Sequence, residues 1–341
     1  MQVHACFRLP RRGPSWQKTP MLTRRLMLAA APAAIAAPAP ASADSFENFL
    51  SGVRAEARKA GISQKTLDAA FAGVSPNDKV IERDRRQVEF TMTWARYRNL
   101  VITDKRIEEG RKAVVANRDM LNRVVDRFNV SPRVITGIWG LESSYGAIQG
   151  DYRVIEAVAT LAWEGRRAKF FRGELMAALK ILEQGNIAPS RMLGSYAGAM
   201  GQPQFMPSSY LSYAADYDGD GKRDIWNNRG DVMASIANYL AKSGWRFGEN
   251  WGQAVTLPPG LEQGALGRDN RKPVSEWARM GVRPLEGVWD APGDRPGAIV
   301  VPNGGEGAAF MVHQNFMAIR RYNPSDFYAL AVGILGDQLG A

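Results

Sequence analysis

The chain has 341 residues, 44 Lys plus Arg against 34 Asp plus Glu, net charge +10, and 45% apolar residues. That content excludes a disordered chain, and one cysteine, Cys6, excludes a disulfide scaffold. The basic excess points to nucleic acid only if the charges belong to the folded part.

Residues 1–43 are predicted to be a signal peptide, with residues 1–20 read as an over-long start. Met21-Leu22-Thr23-Arg24-Arg25 is a positive start, Leu26–Ala37 a 12-residue apolar run, and Ala41-Ser42-Ala43 a small-residue cleavage site. The run is too short to span a bilayer. Cleavage is expected after Ala43, with Met21 a more usual start than Met1. Sec export is the main expectation, although Thr23-Arg24-Arg25 also fits twin-arginine export. Residues 1–43 carry six basic residues and no acid, so the mature chain has 38 basic against 34 acidic residues, net +4. It has no cysteine and one histidine, His313. Thiol catalysis is excluded, and any histidine-dependent site rests on His313.

Residues 44–130 read as an N-terminal helical region. Phe46, Phe49, Leu50 and Val53 recur at helical spacing, Gly61-Ile62-Ser63 stops that helix, and Ser63 is placed to cap the next. Residues 131–149, 167–184 and 231–245 are also predicted helices, within a core assigned to 131–255. Residues 256–308 contain seven prolines and ten glycines and a short β-like run, Ala298-Ile299-Val300-Val301. They are predicted to form a small, loop-rich, partly β subdomain inserted into the helical protein. Helix returns at Phe327–Leu339, within a C-terminal segment 309–341. The fold class is therefore mainly α, of α+β type.

Ser131-Pro132 is a good helix start, with Ser as N-cap and Pro at the first helical position. Val134, Ile135, Ile138 and Trp139 form an apolar face, and Glu142 falls on the same stripe. Gly146 is placed to end the helix. A carboxyl at the end of an apolar face is costly to ionise, which suits a general acid near neutral pH. The alternative from helix geometry is a Glu turned to solvent or paired with Arg. Further on, Ser195–Tyr210 reads SYAGAMGQPQFMPSSY. Small residues there let a ligand approach the backbone, Ser195, Tyr196, Gln202 and Gln204 offer neutral hydrogen-bonding groups, and the aromatics offer stacking faces. Tight helix–loop packing is the alternative.

Gly140-Leu141-Glu142-Ser143-Ser144-Tyr145-Gly146, Ser195–Tyr210 and Arg321-Tyr322-Asn323-Pro324-Ser325 resemble the lytic murein transglycosylases of the B type, glycoside hydrolase family 103. The resemblance covers about residues 45–339. It implies a lysozyme-like core with an additional α domain and a small inserted domain. It also implies cleavage of the β-1,4 bond between N-acetylmuramic acid and N-acetylglucosamine, leaving a 1,6-anhydromuramic end. By motif, Glu142 matches the single catalytic acid/base. Ser195, Gln204 and Phe205 match substrate-binding positions in the cleft, as do Tyr97, Tyr239, Tyr322, Asn323 and Tyr328. Arg166 and Arg167 match a basic pair on the peptide-stem side. The chain departs from the family's Gly-Tyr-Gly-Gln with Gly201-Gln202-Pro203-Gln204, where Pro203 stiffens the loop and removes a backbone donor. One carboxylate suffices for the implied chemistry, because the muramyl 6-hydroxyl attacks its own C1 and no water enters.

Asp216-Tyr217-Asp218-Gly219-Asp220-Gly221-Lys222 matches the front half of a calcium loop, but Asn227 stands where Glu would close it. The resembling family closes its loop with a later Asp, here Asp231. The metal-site candidates are therefore Asp216, Asp218, Asp220, Lys222 and Asp231, for a structural calcium only. No cofactor is expected for the chemistry. The alternative is an Asp/Gly turn capping the helix near Asp231. The expected partners are peptidoglycan glycan strands and cell-wall synthesis or division proteins. No nucleic acid and no transmembrane segment are expected, and the compartment is the periplasm. A lysozyme-like hydrolase and a non-catalytic wall-binding protein remain the competing readings.

Overall fold

The computed structural model describes residues 45–86, 92–303 and 307–340. The predicted signal lies outside the described residues, as does part of the charged, aromatic Glu82–Leu100 stretch. Helices α1 (Phe46–Lys59), α2 (Gln64–Phe71) and α3 (Asp78–Arg85) come first. The Ser63 side chain accepts from the Thr66 N–H, as the expected cap of α2. Then follow α4 (Trp94–Val101), α5 (Asp104–Ala116), α6 (Arg118–Phe128) and α7 (Pro132–Ser143). Next are β1 (Tyr152–Arg153), α8 (Val154–Glu164), α9 (Ala168–Glu183), β2 (Leu193–Gly194), α10 (Pro207–Tyr213) and α11 (Arg229–Lys242). The remaining elements are β3 (Gly252–Thr256), β4 (Lys272–Pro273), α12 (Val274–Arg279), β5 (Arg283–Pro284), β6 (Pro296–Val300), β7 (Ala309–Val312), α13 (Gln314–Tyr322) and α14 (Asp326–Gln338).

The helices bury apolar surface in two separate cores. One is built from α4 to α7, α11, α13 and α14, with Ile135, Ile138, Trp139, Leu330 and Leu335 at its centre. The other gathers α1 to α3 and α8 to α10 around Leu67, Leu161, Phe171, Leu175 and Tyr210. Tyr322 packs against both. Burying a Leu- or Phe-sized side chain contributes roughly 1.5–3 kcal/mol, so each core carries a large share of the stability.

Strands β4-β6-β7-β3-β5 form an antiparallel five-stranded sheet. Its alternation explains its place. Ala298, Val300, Phe310 and Val312 face the first helical core, while Ile299 and Met311 face a third core with Val274 and Trp277. The short run predicted at 298–301 is β6, one residue shorter at its end and two longer at its start. The sheet also takes in β3 and β7, which reach Gly252 on one side and Val312 on the other.

Candidate active site

Helix α7 carries Glu142. Pro132 sits at its first position as expected, but the Ser131 side chain makes no cap hydrogen bond. The expected apolar stripe is broader than a stripe: Thr136, Gly137, Gly140 and Ser143 are buried as well as the aliphatics. Small residues make that possible. A Cβ on Gly137 would stand 3.0 Å from the Val332 carbonyl oxygen of α14, so the two helices approach backbone to backbone. The helix stops sooner than the predicted 149. Ser144 and Tyr145 already occupy the left-handed region, at φ 49° and 58°, before Gly146 at φ 89°. Non-glycine residues there are strained, and such strain clusters at functional sites.

Glu142 is 6% exposed, and its Oε1 accepts from the Tyr328 hydroxyl at 2.7 Å. The solvent-facing alternative is thereby excluded. Burial pushes the carboxyl up to about 7, while the Tyr328 hydrogen bond pulls the other way. Burial likewise raises Tyr97, Tyr322 and Tyr328, and the Glu142 charge adds to each rise. These hydroxyls stay protonated, and the Tyr328 hydroxyl is the one that donates to Glu142.

The aromatic wall is continuous. The Tyr322 and Tyr328 rings stack at 6.5 Å, Tyr239 lies 4.7 Å from Tyr322, and Phe205 lies 5.6 Å from Tyr322. The Tyr322 hydroxyl donates to the Pro203 carbonyl at 2.7 Å. The family departure at Pro203 therefore lies directly on the aromatic wall. Asn323, next in the chain, is 5% exposed and accepts from the Ser325 N–H.

Ser195 and Gln204 belong to one small β meander. Gly194 bridges to Met200, and Met200 to Phe205. The Ser195 Oγ accepts from the Ala199 N–H. Gln204 is left-handed at φ 53° and buried, and its amide donates to the carbonyls of Gly201 and Gln149. Its Oε1 is buried with no hydrogen-bond partner. Arg166 and Arg167 stand apart from the aromatic wall, and both grip the buried carboxylate of Asp84 on α3.

Two contributors were missed at the level of roles. Gln202 is buried, accepts from the Trp139 indole at 2.8 Å and donates to the Trp226 carbonyl at 2.8 Å. Gln202 locks the meander to α7. Tyr145 donates to the Arg106 carbonyl at 2.8 Å, holding the strained turn to α5. Their signal in the sequence was proximity to the quoted motifs alone.

In the acidic loop, oxygens of Asp216, Asp218 and Asp231 come within 4.8 Å of one another. Asp231 is fully buried, and its oxygens accept the N–H groups of Tyr217 at 2.7 Å and Asp224 at 2.6 Å. Burial pushes Asp231 up to about 6, and the Asp218 and Asp216 charges add to the rise. Three hard oxygen donors converging at like charge fit a calcium ion. Asp220 stands outside this trio and accepts from the Lys222 N–H. The helix beyond is capped, but by Asn228, whose side chain accepts from Gly230 and Asp231 and donates to Asp218.

Comparison with known proteins places this arrangement. A family model described as Transglycosylase SLT domain matches residues 45–337. The chain is 35% identical over 250 residues to the membrane-bound lytic murein transglycosylase B of Escherichia coli K12, covering 71% of this chain and 66% of that relative, slightly under two thirds of its length. SltB3 from Pseudomonas aeruginosa, solved with NAG-anhNAM-pentapeptide, superposes with TM-score 0.83 at 44% identity over 87% of this chain and 80% of that one. The Escherichia coli lytic transglycosylase Slt35, solved with calcium, superposes with TM-score 0.72 at 31% identity over 88% of this chain and 93% of that one. With a buried glutamate hydrogen-bonded by a tyrosine on the lysozyme-like fold those enzymes share, the chain belongs to the Transglycosylase SLT domain family of lytic transglycosylases.

Proposed function

We propose that this chain cleaves the β-1,4 bond between N-acetylmuramic acid and N-acetylglucosamine in peptidoglycan without consuming water, leaving 1,6-anhydromuramic ends. The observation that carries the reading is Glu142. Its carboxyl is buried on α7, burial raises its proton affinity, and its Oε1 accepts from the Tyr328 hydroxyl. One such acid suffices where the muramyl 6-hydroxyl attacks its own C1 and no water enters. Protonated Glu142 gives its proton to the glycosidic oxygen. The carboxylate that remains, still hydrogen-bonded to Tyr328, takes the proton of the 6-hydroxyl as it attacks C1. The substrate's own N-acetyl group stabilises the developing cation. Tyr239, Tyr322 and Tyr97 offer sugar-stacking faces, with the buried Phe205 ring packed behind Tyr239 and Tyr322, and Ser195, Gln204 and Asn323 offer polar contacts. The relatives solved with NAG-anhNAM-pentapeptide and NAG-NAM-pentapeptide support this substrate class.

Among the described residues, no helix is long and apolar enough to cross a membrane. Export to the periplasm, inferred from residues 21–43, is part of the same reading. Calcium held by Asp216, Asp218 and Asp231 is proposed as a structural ion with no part in the chemistry.

The test is product analysis on purified sacculi. Wild type is expected to release anhydromuropeptides, and Glu142→Gln, folded by circular dichroism, none. Products carrying an added water would instead establish a hydrolase.

A further inference from the structure

The small sheet lies away from Glu142 in sequence, yet its residues reach both helix starts that flank the acid. Asp326 opens α14, two residues before Tyr328, whose hydroxyl donates to Glu142. Asp326 is gripped from two sides. Arg320 of α13 lies 2.5 Å from it, and Arg268 lies 3.1 Å from it on the opposite oxygen. Arg268 belongs to the loop that leads into β4. That loop is itself fixed, because the Gly267 N–H donates to the Ile299 carbonyl of β6 at 2.7 Å. A cavity of about 240 Å³ between the loop and α14 is lined by Arg268, Asp326, Val300 and Val301.

The same end of β6 supplies a second tie. Asn303, three residues past β6, accepts from the Trp94 N–H at 2.9 Å. Trp94 is the first residue of α4, and Tyr97 follows one turn later. Trp94 also packs edge-on against Phe310 of β7 and against Phe327 of α14, and Phe327 in turn meets Tyr97 at 5.6 Å. The first turns of α4 and α14 are thus held against each other and against the sheet.

We propose that the sheet subdomain takes part in the chemistry through Arg268 and Asn303, positioning residues that fix the first turn of α14 and so hold Tyr328 against Glu142. Neither residue touches the acid. Arg268 holds Asp326 of α14, and Asn303 holds Trp94, which packs on Phe327 of α14. Geometry of this kind is worth a great deal: a misplacement of about 1 Å costs on the order of 100-fold in rate. Arg320 keeps Asp326 paired when Arg268 is removed, so the fold survives the loss of one partner. The proposal rests on the assignment of Glu142 as the acid, and its test separates the two.

Steady-state kinetics on a soluble glycan fragment would compare wild type, Arg268→Ala, Tyr328→Phe and the double variant, each with a thermal melt. Arg268→Ala is expected to lower kcat by about 10-fold or more, leave KM within about 2-fold and keep a cooperative melt. Arg268→Lys should recover part of the loss. Once Tyr328 has become Phe, the Arg268 change should cost far less, because both act through one contact. Asn303→Ala is expected to lower kcat in the same manner, through Trp94 and Phe327 at the start of α14. A wild-type kcat in Arg268→Ala, or losses that simply multiply in the double variant, would overturn the proposal. Should Arg268→Ala fail to fold, Arg268→Gln takes its place with the same outcomes. A second readout needs no turnover. The infrared carboxyl band that Glu142→Gln removes is followed against pH. A shifted midpoint in the Arg268 variant supports the tie even if the wild type proves to be a different enzyme, and an unchanged midpoint counts against it.

Discussion

Two buried glutamates show what burial means at the residue scale. Glu174 is 5% exposed, but both of its oxygens serve the start of α10, accepting from the Ser208 N–H and hydroxyl. Glu142 is as buried, and Tyr328 gives it a donor without charge. Its carboxyl is accordingly held near 7, above the ordinary value of 4.5. As general acid it must enter the reaction protonated, so kcat/KM is expected to fall as pH rises through about 7. A pH–rate profile flat to pH 9 would contradict this. Linkage gives the matching stability statement. A carboxyl raised in the folded state costs stability as pH climbs from 4.5 to about 7, at most roughly 3 kcal/mol. Glu142→Gln should therefore melt higher than wild type at pH 8, with little difference at pH 4. The position of Glu142 was legible from its spacing after Ile135 and Ile138. The hydroxyl facing it was legible only through resemblance, because Tyr328 lies 186 residues further on.

At the scale of elements, boundaries followed local chemistry where local chemistry decides. Ser63, the proline at the start of α7, and the long helices α9, α11 and α14 lie within a few residues of their predicted spans. Two kinds of feature escaped. The end of α7 is set by the left-handed Ser144 and Tyr145, which ordinary propensities disfavour and tertiary contacts enforce. The sheet's inner strands β3 and β7 depend on pairing across nearly 60 residues, which period-two patterning alone does not reveal. The tie between α7 and the meander makes an expectation at this scale. Gln202→Leu leaves the Trp139 indole N–H and the Trp226 carbonyl buried without their partner. Its cost should be about 2–5 kcal/mol, read as a drop in denaturation midpoint, with activity falling alongside. A midpoint equal to wild type would show that the amide contributes nothing.

Across the whole molecule, the acidic loop spans the two helical cores. Arg127 of α6 donates to the Asp216 carbonyl, and the Arg223 N–H donates to Asn186 beyond α9. An ion in that loop would therefore brace one half against the other. Calcium is expected to raise the melting midpoint over chelator, by an amount that grows with concentration, and Asp231→Asn should abolish the difference. Identical midpoints would leave the loop an Asp/Gly turn held by its own hydrogen bonds, ahead of the Asn228 cap of α11. The motif's front half was legible as a run of aspartates. Its closing residue, Asp231, was named only through the resemblance, because it sits on the next helix and arrives by folding.

The separation of Glu142 from Tyr328 also bears on how such an enzyme is made. During synthesis the acid leaves the ribosome long before its hydroxyl, and the meander emerges with Pro203 still awaiting Tyr322. Until α13 and α14 dock, the chain holds a carboxyl without its donor and a cleft without one wall. The acid and its tyrosine meet only once α14 has packed on α7, so the site is completed by the last part of the chain to be made.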